Sequence, residues 1–211
     1  ILYQENSHSF LSSSFITMFV GGLFVLTNIE EKFYLNLQQT FLFSTLAWLG
    51  IAIFGSLPFI FSNLNLSISE SFFESMSGIT TTGSTVISNL DNAPKSILLW
   101  RAIMQWLGGI GIIVMAITVF PLLKVGGMQL FKMEGSDNTG KILPRTIEVA
   151  IIIILTYLIL TFLCSLFYWI FGMGTFDSIA HGMTTIATGG FSTHNESIGY
   201  FKSSNIESVA T

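Results

Sequence analysis

The chain is short of charge and of cysteine, and each shortage excludes a class of protein. Only 9% of its 211 residues are charged, against about 25% in a soluble domain, so a water-facing surface is hard to build. A single cysteine, Cys164, excludes a disulfide framework and a thiolate metal cluster. The formal net charge of −4 gives no sign of nucleic-acid binding. Since 51% of the residues are hydrophobic, the composition indicates an integral membrane protein.

Four apolar runs are long enough to cross a bilayer, which takes about 20 residues. They are residues 10–29, 37–61, 97–123 and 149–171, and Arg101 is their one charged residue. Two further segments, 62–96 and 172–211, are too polar to span and too apolar to be plain loops. The first nine residues lack a basic region, so no signal peptide is expected. Because the chain begins with Ile1, we expect it to be a piece of a longer protein.

Basic residues set the expected orientation, since they favour the cytoplasmic side. Placing segments 30–36 and 124–145 inside puts five Lys or Arg there and leaves Lys95, Arg101 and Lys202 outside. Both half-polar segments then face outward. In this arrangement Arg101 is expected to anchor its span at the interface.

The half-polar segments contain a repeat: residues 69–83 align without a gap to residues 176–190 at an offset of 107. The matched pairs include Glu70 and Asp177, Met76 and Met183, Ile79 and Ile186, Thr81 and Thr188, and Gly83 and Gly190. The spacing of apolar residues predicts a helix over 69–79, with Ser69 as N-cap. At about 1.5 Å per residue it reaches roughly half-way through the bilayer core. A Thr/Gly-rich extended return follows.

Such a half-helix presents its carbonyl pole, and the return presents successive backbone carbonyls, at membrane depth. Carbonyl oxygens can replace the hydration shell of a cation. The predicted cation-binding residues are Thr80, Thr81, Thr82 and Gly83 in the first copy and Ala187, Thr188, Gly189 and Gly190 in the second. The register makes Gly190, not Gly189, the counterpart of Gly83.

Several features of the sequence allow two interpretations. A lone Thr/Gly-rich segment is also typical of an external loop, and only the repeat favours a filter. The acids Glu5, Glu70, Glu74, Asp91, Asp177, Glu196 and Glu207 either raise the cation concentration at a mouth or form a solvated face with helix-start charges. The three histidines are not spaced as metal ligands, so we expect ordinary polar roles for His8, His181 and His194. Segment 108–111 predicts close helix packing.

Four motifs together resemble the Trk/Ktr/HKT potassium-uptake family, and within it the bacterial Trk pore subunits. They are SGITTTG at 77–83, QWLGGIGI at 105–112, VGGMQL at 125–130 and GGFSTH at 189–194. The resemblance implies an all-α membrane protein of span–pore-loop–span repeats with re-entrant half-helices and extended filter segments. It also implies a pore of four repeats in one polypeptide, a homodimer, and a cytosolic nucleotide-binding regulatory subunit of the TrkA type.

The resemblance further implies potassium as the substrate, no cofactor, no enzymatic activity, and a place in the bacterial inner membrane. Glycine at Gly83 and Gly190 favours potassium over sodium. The expected organisation is a preceding helix and cytoplasmic turn at 1–36, a first repeat at 37–123, a cytoplasmic loop at 124–146 and an incomplete second repeat at 147–211. The alternatives are a sodium or other monovalent-cation transporter, or a non-conducting structural or sensor protein. A membrane enzyme needs converging ionisable residues, which these spans almost lack.

Overall fold

A computed structural model describes residues 6–28, 36–123 and 142–211. Within these ranges the chain forms seven α-helices, two short 3-10 turns and no β-strand. The helices are α1 (Ser7–Thr27), α2 (Leu37–Ile60), α3 (Ile68–Ile79), α4 (Lys95–Leu123), α5 (Ile142–Ile170), α6 (Thr175–Ile186) and α7 (Ser204–Ala210). The 3-10 turns are Leu90–Asn92 and Ser197–Phe201.

The four predicted spans are confirmed as α1, α2, α4 and α5, each long and apolar enough to cross a membrane. Large apolar side chains such as Phe15, Leu26 and Phe162 stand exposed on them, as a lipid environment permits. Helix α4 is the least hydropathic of the four, with a mean hydropathy of 1.4 against 2.7 for α5, and it is the most buried. The chain is therefore a multi-pass membrane protein with α4 at its centre.

The two half-helices lie on either side of α4. Helix α3 packs against α2 and α4, and helix α6 packs against α5 and α4. Both contain 12 residues, and their first and last residues differ by 107 positions, as the repeat predicts. A helix of this length is about 18 Å long, a little over half of a hydrocarbon core of about 30 Å. The fold is therefore span, half-helix, loop, span, with the second copy beginning at α5.

The N-terminus of α3 corrects one prediction, because its N-cap is Ser67 rather than Ser69. The Ser67 hydroxyl accepts a hydrogen bond from the Glu70 N–H at 3.3 Å, and the Glu70 carboxylate accepts one from the Ser67 N–H at 2.8 Å. This reciprocal capping box needs an acid or amide three residues after the cap. Ser67 has one and Ser69 does not. The hydrogen bonds of the capping box lower the pKa of Glu70, and the one from the Ser67 hydroxyl contributes most.

Other boundaries moved or fall outside the described ranges. Helix α5 begins at Ile142, so residues 142–146 continue a helix where the sequence predicted a polar loop. Most of segments 30–36 and 124–145, and all of the motif at 125–130, lie outside the described residues. The orientation that those segments predict stays a prediction.

Candidate functional site

The first loop, residues 80–83, leaves α3 through a Schellman turn. The Thr82 N–H donates to the Ser77 carbonyl at 2.9 Å, and the Thr81 N–H donates to the Gly78 carbonyl at 2.9 Å. Thr81 has φ +57° and Gly83 has φ +78°, so every second residue of the loop is left-handed. The turn uses the last helical carbonyls and leaves those of residues 80–83 unused by the helix end.

The second loop, residues 187–190, repeats this turn after α6. The Gly189 N–H donates to the Thr184 carbonyl at 3.0 Å, and the Thr188 N–H donates to the Thr185 carbonyl at 2.9 Å. Thr188 has φ +54° and Gly190 has φ +78°. The two loops therefore share one backbone at the offset of 107, and this pairs Gly190 with Gly83.

Threonine at the left-handed position is unusual, because a β-branched residue there is a genuine outlier. The left-handed conformation costs roughly 1–2 kcal/mol for a residue with a Cβ. Thr81 and Thr188 both adopt it, so the surrounding structure must hold each loop in place. Strain repeated at equivalent positions of two loops favours a role for the backbone itself.

The two loops touch each other at glycines. A Cβ atom on Gly83 would overlap the carbonyl oxygen of Gly189, so only glycine fits this contact. Gly190 is equally left-handed, yet no heavy atom of the described residues lies within 4 Å of a Cβ built on it. The first loop is thus closed in where the second is open.

Helix α4 supports both loops from behind. The buried Gln105 side chain accepts a hydrogen bond from the Phe191 N–H at 3.0 Å through Oε1, and its amide lies against Gly189. One turn later, a Cβ on Gly108 would overlap the carbonyl group of Ile79. On Gly109, a Cβ would come within 3.1 Å of the Ala187 Cα. The close packing predicted for segment 108–111 is confirmed: Gly108 packs on the last residue of α3, and Gly109 packs on the first residue of the second loop.

A buried ion pair joins the first half-helix to α4. Glu74 Oε1 lies 2.6 Å from Arg101 Nε, and both side chains are 1% exposed or less. The Glu74 carboxylate also accepts hydrogen bonds from the Thr85 hydroxyl at 2.9 Å and the Val86 N–H at 3.0 Å. Arg101 Nη1 donates to the Ser192 carbonyl at 3.0 Å. The expectations of an interface anchor at Arg101 and an outward-facing acid at Glu74 were wrong, because each charge is balanced by the other inside the protein.

The second half-helix makes the equivalent contact with a neutral side chain. His181 occupies the position of Glu74 at the offset of 107, and Ser192 occupies that of Thr85. His181 Nδ1 lies 2.9 Å from the Asp177 carbonyl and Nε2 lies 3.0 Å from the Ser192 hydroxyl. Because a carbonyl only accepts, Nδ1 donates to it, and in a neutral imidazole Nε2 then accepts from the Ser192 hydroxyl. This is the ordinary polar role expected of His181.

The remaining acids near the loops are engaged by polar partners. Asp91 lies 2.8 Å from His194 Nδ1 and accepts a hydrogen bond from Asn195 at 2.6 Å. The hydrogen bond with His194 lowers the pKa of Asp91. Asp177 accepts a hydrogen bond from the Thr193 hydroxyl at 2.7 Å. For these acids the contacts favour structural roles over a cation-collecting mouth. The contacts of Asp91 also tie the segment after the first loop to the segment after the second.

The family described as "TrkH: Cation transport protein" matches residues 6–211. The chain belongs to this family. It is 43% identical over 99% of its length to the Trk system potassium uptake protein TrkH of Escherichia coli K12 and 36% identical over its whole length to TrkG of the same strain. It spans 44% of each of these relatives.

A solved structure gives the same fold. The crystal structure of the potassium transporter TrkH from Vibrio parahaemolyticus superimposes with a TM-score of 0.85 at 40% identity. The match covers 97% of this chain and 41% of the other. The family resemblance and the pore-loop repeat architecture expected from the sequence are therefore confirmed.

Sequence reasoning placed the loops of this TrkH-family chain but missed the residues that hold them. Gln105, Glu74 and Arg101 were not among the candidate site residues. One signal pointed to two of them: Arg101 is the one charge in a long apolar run, and Gln105 follows it by one helical turn. An ionisable residue inside a span is by default a functional candidate.

Proposed function

We propose that the complete protein carrying this chain takes up potassium through a membrane pore whose filter includes the two loops. The observation that carries the proposal is the pair of loops with one backbone, meeting at Gly83 and Gly189. The relatives are named potassium uptake proteins. The proposed cation-binding residues are Thr80, Thr81, Thr82, Gly83, Ala187, Thr188, Gly189 and Gly190.

The physical basis is the supply of oxygen atoms. Each half-helix ends at its loop, where its dipole carries partial negative charge that favours a cation. The loop carbonyls that the turn leaves unused can replace water around the ion. Non-helical backbone at membrane depth persists only where protein buries it or water lines it, and the buried face of α4 meets that condition. Potassium is the transported substrate, and no chemical conversion is proposed.

The assembly around this chain is also a proposal. We infer a first repeat at 37–123 and the beginning of a second that starts with α5 and runs to residue 211. A helix and a cytoplasmic turn at 1–36 precede them, and a cytoplasmic loop that ends before Ile142 separates them. The relatives' names refer to a Trk system, which supports partners of more than one kind. We infer a homodimer and a cytosolic nucleotide-binding subunit of the TrkA type.

The test is potassium uptake by the complete protein in a host that lacks its own potassium transporters. The unaltered protein should restore growth at low potassium, and Gly83→Asp should abolish uptake because the new side chain meets the Gly189 carbonyl. Gly199→Asp is the matched control, since nothing described lies within 4 Å of its Cβ. Uptake by Gly83→Asp at the level of the control would refute the proposed filter.

A further inference from the structure

We infer that Gln105 is a positioning residue that sets the cation preference of the proposed filter by fixing the spacing of the two loops. The inference rests on the proposed function and deepens it. Gln105 lies on α4, outside the loops, and its side chain is fully buried. Gln105 is not one of the residues proposed to bind the cation.

The side chain of Gln105 packs against the second loop and lies close to the first. Its Oε1 accepts the Phe191 N–H at 3.0 Å, and Phe191 directly follows the second loop. Its amide fills the space where a side chain at Gly189 would lie, and its Nε2 is 3.6 Å from a Cβ built on Gly83. One planar amide therefore stands behind the point at which the loops meet.

The free donor of Gln105 argues against a packing role alone. Nε2 is buried and has no hydrogen-bond partner among the described residues. A buried donor without a partner costs about 1–3 kcal/mol, and each such group in a native structure needs an explanation. Methionine or leucine would fill the same volume without this cost. An amide here supplies what they cannot, an acceptor for the second loop and a polar N–H group beside the glycines of both.

Helix α4 holds the second loop at a neighbouring point as well. Arg101, one helical turn before Gln105, donates to the Ser192 carbonyl at 3.0 Å, so consecutive residues 191 and 192 are both attached to α4. The ion pair of Arg101 with Glu74 attaches α4 to the first half-helix. Removing the amide of Gln105 would leave the Arg101 hydrogen bond to Ser192 and free the end of the second loop at Phe191 to shift relative to the first loop.

The experiment compares three variants in the complete protein, with KM measured for potassium and for sodium. Gln105→Met keeps the side-chain length and removes the amide. Gln105→Glu is the conservative variant, because a buried carboxyl group that stays protonated offers an acceptor and a donor as the amide does. Leu107→Met is the control on the same helix, where Leu107 is 45% exposed. The amount of each variant in the membrane is measured alongside.

We expect Gln105→Met to raise the potassium KM and to lower the potassium-to-sodium preference by about tenfold, the size of one lost buried hydrogen bond. Gln105→Glu should recover most of that preference, and Leu107→Met should match the unaltered protein. An unchanged preference in Gln105→Met, with only the maximum rate or the membrane amount reduced, would assign Gln105 to packing and overturn the inference. So would failure of both Gln105 variants to reach the membrane while Leu107→Met does, or an equal shift in Leu107→Met.

The same experiment separates this inference from the proposed function. If the unaltered protein takes up no potassium, the proposed function fails, and the inference fails with it. If the unaltered protein transports potassium and Gln105→Met keeps its preference, the inference alone is wrong.

Discussion

The two loops of this TrkH-family chain share a backbone and differ in what surrounds it. Thr81 and Thr188 are left-handed at +57° and +54°, and Gly83 and Gly190 are both at +78°. Yet the first loop is attached through a buried ion pair, whereas the second is attached through a neutral histidine and a glutamine amide.

This difference separates the requirements on the loop backbone from the requirements on the side chains that hold the loops, which we call the supports. A site made of carbonyl oxygens depends on backbone angles, so threonine and glycine recur at equivalent positions. A support only has to occupy the same place. Glu74 and His181 both bind the hydroxyl eleven residues later, on Thr85 and Ser192. Their chemistry differs, so their energetic cost on removal should differ too.

The largest expected effect is the loss of one partner of the ion pair. Glu74→Gln leaves Arg101 charged and buried, and breaking a buried pair in this way costs about 3–5 kcal/mol. His181→Gln at the equivalent position removes neutral hydrogen bonds and should cost about 1 kcal/mol. Unfolding temperatures of the purified complete protein at one fixed scan rate measure the contrast.

A double variant serves as the control for the ion pair. Glu74→Gln combined with Arg101→Met removes both charges, so we expect it to lose less stability than Glu74→Gln alone. Equal losses for Glu74→Gln and His181→Gln would show that charge contributes nothing to the difference between the two supports.

The next effect concerns the glycines. Gly83→Ala should reduce potassium uptake about a hundredfold, because a left-handed alanine packed against the Gly189 carbonyl costs on the order of 3 kcal/mol. Gly190→Ala carries the left-handed strain of roughly 1–2 kcal/mol in open space and should reduce uptake less, by about five- to thirtyfold.

Uptake rates at matched membrane amounts measure this contrast, with Gly199→Ala as the unstrained control. If Gly190→Ala reduces uptake as much as Gly83→Ala does, the space beside Gly190 is filled in the complete protein. The two loops would then differ only in the side chains that hold them.

The sequence was sufficient for features that local pattern determines. Long apolar runs predicted the four spans, and the recurring residues from Glu70 to Gly83 predicted two half-helices in the right register. The left-handed threonines were not foreseen, because threonine has no preference for that conformation. They exist because the Schellman turn and the packing of α4 outweigh the local cost.

The supports could not be predicted for a different reason. Arg101 lies 27 residues from Glu74, and Gln105 lies 86 residues from Phe191. Such pairs are set by how the half-helices pack on α4, which no periodicity records. The N-cap of α3 could have been predicted from the sequence, since an acid lies three residues after Ser67 and not after Ser69.

The smallest effect concerns the starts of the two half-helices. Helix α3 has the Ser67 capping box, whereas the N-cap of α6 is Gly174 and makes no side-chain hydrogen bond. Ser67→Ala should lower the free energy of unfolding by about 1 kcal/mol. Gly174→Ser should raise it by a few tenths of a kcal/mol, since a Cβ there would meet only Asp177 Oδ2, at 3.4 Å.

Unfolding temperatures again provide the measurement, and uptake should stay unchanged in both cap variants because the caps lie at the far end of each half-helix from its loop. Because the relatives of this chain are more than twice its length, a shift of roughly 1–2 °C per kcal/mol is expected for the complete protein, which a melting curve can still resolve for Ser67→Ala. Loss of uptake in Ser67→Ala at normal stability would contradict the separation of cap from filter. The cap would then help to set the position of the first loop, and the two half-helices would differ in function as well as in stability.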